Sequence, residues 1–179
     1  MQLFIAVNFN DDTKKGLLDI CELLRSRCER GRYTAPENLH LTLAFLGECD
    51  AKQTAVIKAV IDEIIFDPFV INIERVGRFR RDSGDLWWAG IMRSKPLTKL
   101  HGNLTDKLIA AGFRLDKRKF NPHITLGREI ITNATPWQIP PFGETVTSIE
   151  LMKSERINGK LTYTSIATRE PAKLLYSEL

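Results

Sequence analysis

The sequence has few of the residues that build disulfide frameworks and structural metal sites. It contains three cysteines, Cys21, Cys28 and Cys49, with no C-x-x-C pair and no histidine at ligand spacing from them. An odd and sparse set of this kind indicates free thiols in a reducing compartment. We therefore expect neither a disulfide framework nor a zinc knuckle.

Long apolar runs are also missing. No stretch approaches the roughly 20 residues that a membrane-spanning helix needs. The first residues, Met1–Val7, lack the basic region and the cleavage site of a signal peptide, and their composition predicts a strand instead. We expect a cytoplasmic protein that makes no contact with a membrane.

Length and composition are those of an ordinary globular domain. The chain has 179 residues, of which 43% are hydrophobic and 27% are charged, enough to bury a sizeable core. Its net charge of +4 is mildly basic. Such a charge suits a polyanionic partner, but many proteins without such a partner carry it too.

Histidine is scarce, and this makes each histidine informative. The chain has three, and two of them open the same pattern: H-L-T-L begins at His40, and H-I-T-L begins at His123. With average residue usage, such a coincidence is of order one in a thousand or rarer. Both copies predict strands, because Leu, Ile and Thr favour extended backbone. Strand alternation places His40 beside Thr42, and His123 beside Thr125, on a polar face opposite a buried one.

Two such strands facing each other would form an acid–base pair for phosphate chemistry. Opening a cyclic phosphodiester needs a base for water and an acid for the leaving alkoxide, and imidazole can serve as either near neutral pH. We expect Thr42 and Thr125 to bind phosphate oxygens. Arg128 offers forked donors for the same group. Regular alternation would aim Arg128 away from the His123 face, but we expect it at the end of its strand.

The order of predicted elements is β-α-β-α-β-β-α-β-β-β, which indicates an α+β fold with mixed or antiparallel sheets. The predicted strands are Gln2–Phe9, Leu39–Leu46, Phe69–Phe79, Leu86–Met92, Pro122–Arg128, Val146–Lys153 and Lys160–Ala167. The predicted helices are about 12–29, Ala51–Phe66 and Leu97–Ala111. We also expect a loop over 132–142, where three prolines occur, and a bulge at Gly77. The two motifs are 83 positions apart, so we predict one domain, residues 1–179, of two similar lobes that share a cleft.

Several other notable residues have structural interpretations. His101 stands alone on a predicted helix, so we assign it a structural role. Trp87 and Trp88 are predicted to be core and rim of a hairpin, with base stacking as the alternative. Phe45 shares the parity of the buried leucines and is predicted to be core, again with base stacking as the alternative. Residues 117–119, Lys-Arg-Lys, are read as a solvated turn, with steering of RNA as the alternative.

Segments around both motifs resemble the 2H phosphoesterase superfamily. Within it, the similarity is to the bacterial and archaeal branch called RNA 2′,3′-cyclic phosphodiesterase or 2′-5′ RNA ligase. The matching segments are Phe4–Val7, Pro36–Gly47, Leu86–Gly90 and Phe120–Arg128, with a weaker match from Ser154 to Tyr163. They follow the expected order over nearly the whole chain.

The resemblance implies two pseudo-symmetric lobes of antiparallel sheet with flanking helices around a central cleft. It implies hydrolysis of RNA or nucleoside 2′,3′-cyclic phosphates to 2′-phosphates, with no metal and no other cofactor. It also implies His40 as the general acid and His123 as the general base, roles that the symmetry of the motifs does not assign. The partners would be RNA ends or nucleoside cyclic phosphates, and we expect a monomer. The reverse 2′-5′ ligation is left open.

Two alternatives remain at this point. The first is a non-catalytic nucleotide- or RNA-binding module, but binding alone would not need two titrating groups. The second is a phosphodiesterase for other 2′-linked substrates, such as 2′-5′ oligonucleotides. A metallohydrolase is disfavoured, because no Asp or Glu lies at ligand spacing from either motif.

Overall fold

A computed structural model describes residues 1–116 and 118–172. Within these residues the chain forms three α-helices, one short 3₁₀ helix and nine strands. The helices are α1 (Asp11–Arg25), α2 (Ala51–Asp62) and α3 (Lys95–Ala110), with the 3₁₀ turn at Pro36–Asn38. The strands are β1 (Gln2–Asn8), β2 (Cys28–Tyr33), β3 (His40–Glu48), β4 (Phe69–Phe79), β5 (Asp85–Ile91), β6 (His123–Thr132), β7 (Trp137–Val146), β8 (Ile149–Ile157) and β9 (Lys160–Arg169).

The described strands form one antiparallel sheet. Its order is β7-β4-β5-β6-β3-β1-β8-β9, and β2 pairs with β6 outside this path. The two strands that begin with the motif histidines, β3 and β6, are neighbours at the middle, with three strands of the path on either side. The predicted α+β class with antiparallel sheet is confirmed. The division of a single domain into two lobes remains a prediction.

The apolar residues of the motif strands anchor the sheet in the core. Leu41, Ile124 and Leu126 are fully buried, and Leu43 is 3% exposed. Burying a leucine or isoleucine side chain of this kind contributes about 1.5–3 kcal/mol. Core packing therefore fixes the orientation of both strands, and with it the face that carries the histidines.

Two segments near the first helix differ from the sequence prediction. Helix α1 ends at Arg25 instead of about residue 29, and Cys28–Tyr33 forms β2, which pairs with β6. Gly31 of β2 allows the two strands to meet, since a Cβ there would lie 2.7 Å from Cγ1 of Ile130. Long-range pairing has overridden local helical pattern here.

Three further predictions are wrong in detail. Helix α2 ends at Asp62 rather than residue 66. The predicted loop over 132–142 contains the start of β7, an edge strand of the described sheet, where proline is tolerated because one row of N–H groups has no partner strand. The bulge predicted at Gly77 is not there, because Gly77 pairs in register with Trp88. The irregularity of β4 lies between residues 73 and 75 instead. The glycine is needed for another reason, because a Cβ at Gly77 would lie 2.3 Å from the Trp88 ring.

Candidate active site

The histidines and threonines of the two motifs meet where β3 and β6 pair. Leu41 lies opposite Ile124. In an antiparallel ladder this register sets His40 across from Thr125, and places Thr42 and His123 across from each other. The two imidazoles thus occupy opposite corners of a four-residue square on the face away from the buried core.

A backbone carbonyl orients each imidazole. Nδ1 of His40 lies 2.7 Å from the carbonyl oxygen of Asn38, and Nδ1 of His123 lies 2.7 Å from that of Asn121. A carbonyl can only accept, so Nδ1 carries a proton and donates it in both rings. This leaves Nε2 as the atom for proton transfer. Each asparagine precedes its histidine by two residues, so the repeat is N-x-H-x-T, a feature that the sequence prediction missed.

The two Nε2 atoms differ in their neighbours. Nε2 of His40 lies 2.9 Å from the Thr42 hydroxyl, which donates to it when the ring is neutral. In residues 1–116 and 118–172, Nε2 of His123 makes no corresponding bond to Thr125. Neutral His123 therefore has an unengaged lone pair on Nε2, as a general base requires.

Aromatic rings flank both imidazoles. Phe4 and Tyr163 lie beside His40, with centroid distances of 4.9 and 5.3 Å. Phe79 and Trp88 lie beside His123, at 5.3 and 6.3 Å. These rings take the place of water around the imidazoles.

This environment lowers the pKa of both histidines. Loss of hydration is the largest cause for each, and the nearby positive charge of Arg128 adds to it. The pKa of His40 is lowered further by the charge of His123. The carbonyls of Asn38 and Asn121 raise these pKa values but do not outweigh the other causes. Both rings are mainly neutral at pH 7 in the free protein, and a bound anion would favour their protonation.

An irregularity in β6 brings Arg128 to the catalytic face. Thr125 and Gly127 pair with consecutive residues of β5, so Leu126 is an extra residue in β6. Leu126 and Gly127 are both buried, and alternation resumes with Arg128 on the same side as His123. The strand continues past Arg128, so our expectation of a strand end was wrong, and the bulge supplies the reorientation.

The same irregularity in β3 corrects the prediction for Phe45. Thr42 and Ala44 pair with consecutive residues of β1, so Leu43 is the extra residue, and Leu43 and Ala44 are both buried. Phe45 is 58% exposed and faces the site instead of the core. Phe45 and Arg128 occupy matching positions, each five residues after a motif histidine.

A cavity of about 570 Å³ opens above these residues. This volume lies within the ~300–1,000 Å³ typical of sites for small organic ligands. Of the predicted site residues, the cavity lining includes His40, Thr42, Thr125 and Arg128. His123 is not part of the lining, although the strand register sets it across from Thr42, which is. Among the described residues of the lining, every charged side chain is cationic: Arg32, Arg128, Arg156 and Lys160. The cavity is suited to an anion.

Among the other residues singled out by the sequence, His101, Trp87, Trp88 and Arg118 are not part of this lining. His101 stacks on Phe120 with centroids 3.7 Å apart, a packing role. Trp87 is fully buried and Trp88 is half-buried, as predicted for core and rim of a hairpin. Of the basic turn, Lys117 lies outside the described residues, and Arg118 is paired with Asp116.

The described part of the chain offers neither a membrane-spanning helix nor a metal-binding cluster. Its helices are all too short or too polar to traverse a bilayer. Its His, Cys, Asp and Glu side chains form no group of three or more that could hold a metal ion. The expectation of a reaction without metal stays a prediction.

Comparisons with known proteins identify a family and a fold that this chain resembles. A model of the 2′-5′ RNA ligase superfamily matches residues 19–158, which include both motifs. The RNA 2′,3′-cyclic phosphodiesterase of Archaeoglobus fulgidus is 38% identical over 129 residues, covering 72% of each chain. The enzyme of the same name from Thermotoga maritima is 35% identical over 131 residues, covering 72% of this chain and 70% of the relative. The crystal structure of Escherichia coli LigT complexed with 3′-AMP superposes with a TM-score of 0.82 at 27% identity, covering 96% of this chain and 98% of LigT.

Proposed function

The chain belongs to the 2′-5′ RNA ligase superfamily, and we propose that it hydrolyses 2′,3′-cyclic phosphates of RNA ends or nucleosides to 2′-phosphates with two histidines and no metal. The observation that carries the proposal is the paired N-x-H-x-T repeat beside a cavity whose charged lining is cationic. The names of the curated relatives support the same reaction.

His123 is proposed as the general base. Its Nδ1 proton is held by the Asn121 carbonyl, so Nε2 can take a proton from water. The water oxygen then forms a bond to phosphorus, and the bond between phosphorus and O3′ breaks. The phosphate stays on O2′.

His40 is proposed as the general acid. Its protonated Nε2 gives a proton to the departing O3′, which becomes the 3′-hydroxyl. The pKa of His40 is lowered in the free protein, but the negative phosphate would favour the charged ring once it is bound. The assignment of acid and base follows the family resemblance, and the free Nε2 of His123 supports it.

Four other residues of the cavity would bind and orient the cyclic nucleotide. Thr42 and Thr125 occupy the remaining corners of the square and can donate to phosphate oxygens. Arg128 adds a guanidinium with two parallel donors, and the cavity lining also includes the exposed ring of Phe45, on which a base can stack.

The test is hydrolysis of adenosine 2′,3′-cyclic phosphate in excess EDTA, with ³¹P NMR of the product. We expect the 2′-phosphate to form at an undiminished rate. Binding without turnover would favour a non-catalytic nucleotide-binding module. Turnover of 2′-5′ dinucleotides but not of the cyclic phosphate would favour a phosphodiesterase for other 2′-linked substrates. Loss of activity in EDTA that Mg²⁺ or Mn²⁺ restores would overturn the metal-free mechanism. Reverse ligation, a monomeric state and a cytoplasmic location stay predictions.

A further inference from the structure

The cavity extends well beyond the two histidines. From β3 its lining continues over β1 to the hairpin of β8 and β9, where it includes Ser154, Arg156, Lys160 and Leu161. Strands β8 and β9 are the second and third neighbours of β3, so this arm lies about 10–14 Å across the sheet from the motif residues. A cyclic phosphate bound between the histidines would leave this arm empty.

The hairpin presents two cationic side chains, Arg156 and Lys160, to the cavity. On the opposite face of β8, Lys153 and Glu155 neutralise each other at 2.7 Å. On the cavity side, Arg156 uses one donor for the carbonyl of Gly159. Lys160 is held by Glu37, in a pair whose side chains are 66% and 51% exposed. A surface pair of this kind contributes at most about 1 kcal/mol and can exchange for a phosphate.

Asn38 links this arm to the reaction centre. The side-chain Nδ2 of Asn38 donates to the backbone carbonyl of Leu161 on β9 at 3.0 Å. The backbone carbonyl of Asn38 accepts from Nδ1 of His40. The side chain is 5% exposed and lines the cavity, yet its Oδ1 has no hydrogen-bond partner among the described residues. Asn38 therefore joins strand β9 to the imidazole of His40.

We infer that Arg156 and Lys160 form a second phosphate subsite, which binds the phosphodiester on the 5′ side of the cyclic end of an RNA strand. The inference rests on the proposed function. In a nucleotide that ends in a 2′,3′-cyclic phosphate, both ribose hydroxyls are esterified, so the rest of the RNA is attached at O5′. The phosphate on O5′ is therefore the next anion that Arg156 and Lys160 could bind. The favoured substrate is therefore an RNA end, and a cyclic mononucleotide fills only part of the site.

The test compares three substrates: adenosine 2′,3′-cyclic phosphate, the same nucleotide with a 5′-phosphate, and a trinucleotide that ends in the cyclic phosphate. In the combined variant Arg156→Gln/Lys160→Gln we expect KM to rise about tenfold for the two substrates with an added phosphate. The KM of the plain mononucleotide should stay near the wild-type value, as should kcat for all three. Lys153→Gln, on the other face of the same strand, is the matched control and should change none of these values.

A gain of binding provides an independent readout. Glu37→Gln removes the carboxylate that competes for Lys160, so KM for the trinucleotide should fall while KM for the mononucleotide does not. Equal losses on all three substrates in the combined variant, or no loss on any, would overturn the subsite while leaving the proposed function intact. If the wild-type protein hydrolyses none of them, the proposed function itself fails.

Discussion

Replacing Arg128 with glutamine should slow catalysis and shift the pH profile together. The guanidinium is exposed within the cavity, and in the described residues it makes no ion pair that would neutralise it. Its charge lowers the pKa of both His40 and His123. Arg128→Gln therefore removes a stabiliser of phosphate charge and, at the same time, a positive neighbour of both imidazoles.

The structure sets the expected size of the loss. Removing a positioned donor from a dry site costs about 10²–10³-fold in rate. Because the Arg128 side chain is open to solvent, we expect the lower end, about 10²-fold in kcat/KM. A positive neighbour disfavours imidazolium, so its removal raises both pKa values. Both limbs of the profile of kcat/KM against pH should then move to higher pH.

Stopped-flow or NMR measurement of kcat/KM across pH tests both effects. Arg128→Lys keeps the charge but loses the fork, so its limbs should stay near their wild-type positions while its rate falls. Arg118→Gln, outside the cavity, is the control for a change of net charge. Limbs that stay fixed or move to lower pH in Arg128→Gln would refute the electrostatic reasoning, even if the rate falls.

Four further variants test other parts of the site and its support. Thr42→Val should cost about 1–3 kcal/mol in kcat/KM with no loss of thermal stability, and an unchanged rate would make the hydroxyl structural. Phe45→Leu should raise KM for nucleotides by an amount that corresponds to about 1–3 kcal/mol of base stacking. Its melting temperature should hold because the ring is 58% exposed, and a large drop would return Phe45 to the core. Gly77→Ala should destabilise the fold in a denaturant titration, because Trp88 occupies the space, whereas Gly102→Ala on α3 has open space and should stabilise it by about 1 kcal/mol.

The motif strands were predictable because their pattern is local. Alternation over four residues fixed which side chains of each copy are buried, and Leu41 and Ile124 lie in the core as expected. An extra residue in a strand leaves no such trace in the sequence. The bulge at Leu43 therefore turns Phe45 towards the site, although it was expected in the core. The bulge at Leu126 turns Arg128 towards the site, whereas regular alternation would point it away.

Features that depend on distant partners were also beyond local pattern. Residues Cys28–Tyr33 form a strand because they pair with β6. The strand Trp137–Val146 can contain prolines because it lies at an edge of the described sheet. Asn38 and Asn121 are a different case. The sequence shows an asparagine two residues before each histidine. The group that orients the imidazole is the backbone carbonyl of that residue, and because every residue has one, the side chain gave no hint of it.

The most direct test of the two-histidine mechanism is the pH dependence of kcat/KM in EDTA for the wild-type protein, His40→Ala and His123→Ala. The account predicts a bell for the wild type, because the productive form needs neutral His123 and protonated His40, which titrate as a coupled pair. With both pKa values lowered, the bell should lie on the acid side of the ordinary imidazole range. His123→Ala should lose the rising limb at acid pH, and His40→Ala should lose the falling limb, each with kcat reduced about 10²–10⁴-fold. Loss of the rising limb in His40→Ala would show that the roles are exchanged, and a bell that survives in either variant would contradict the mechanism itself.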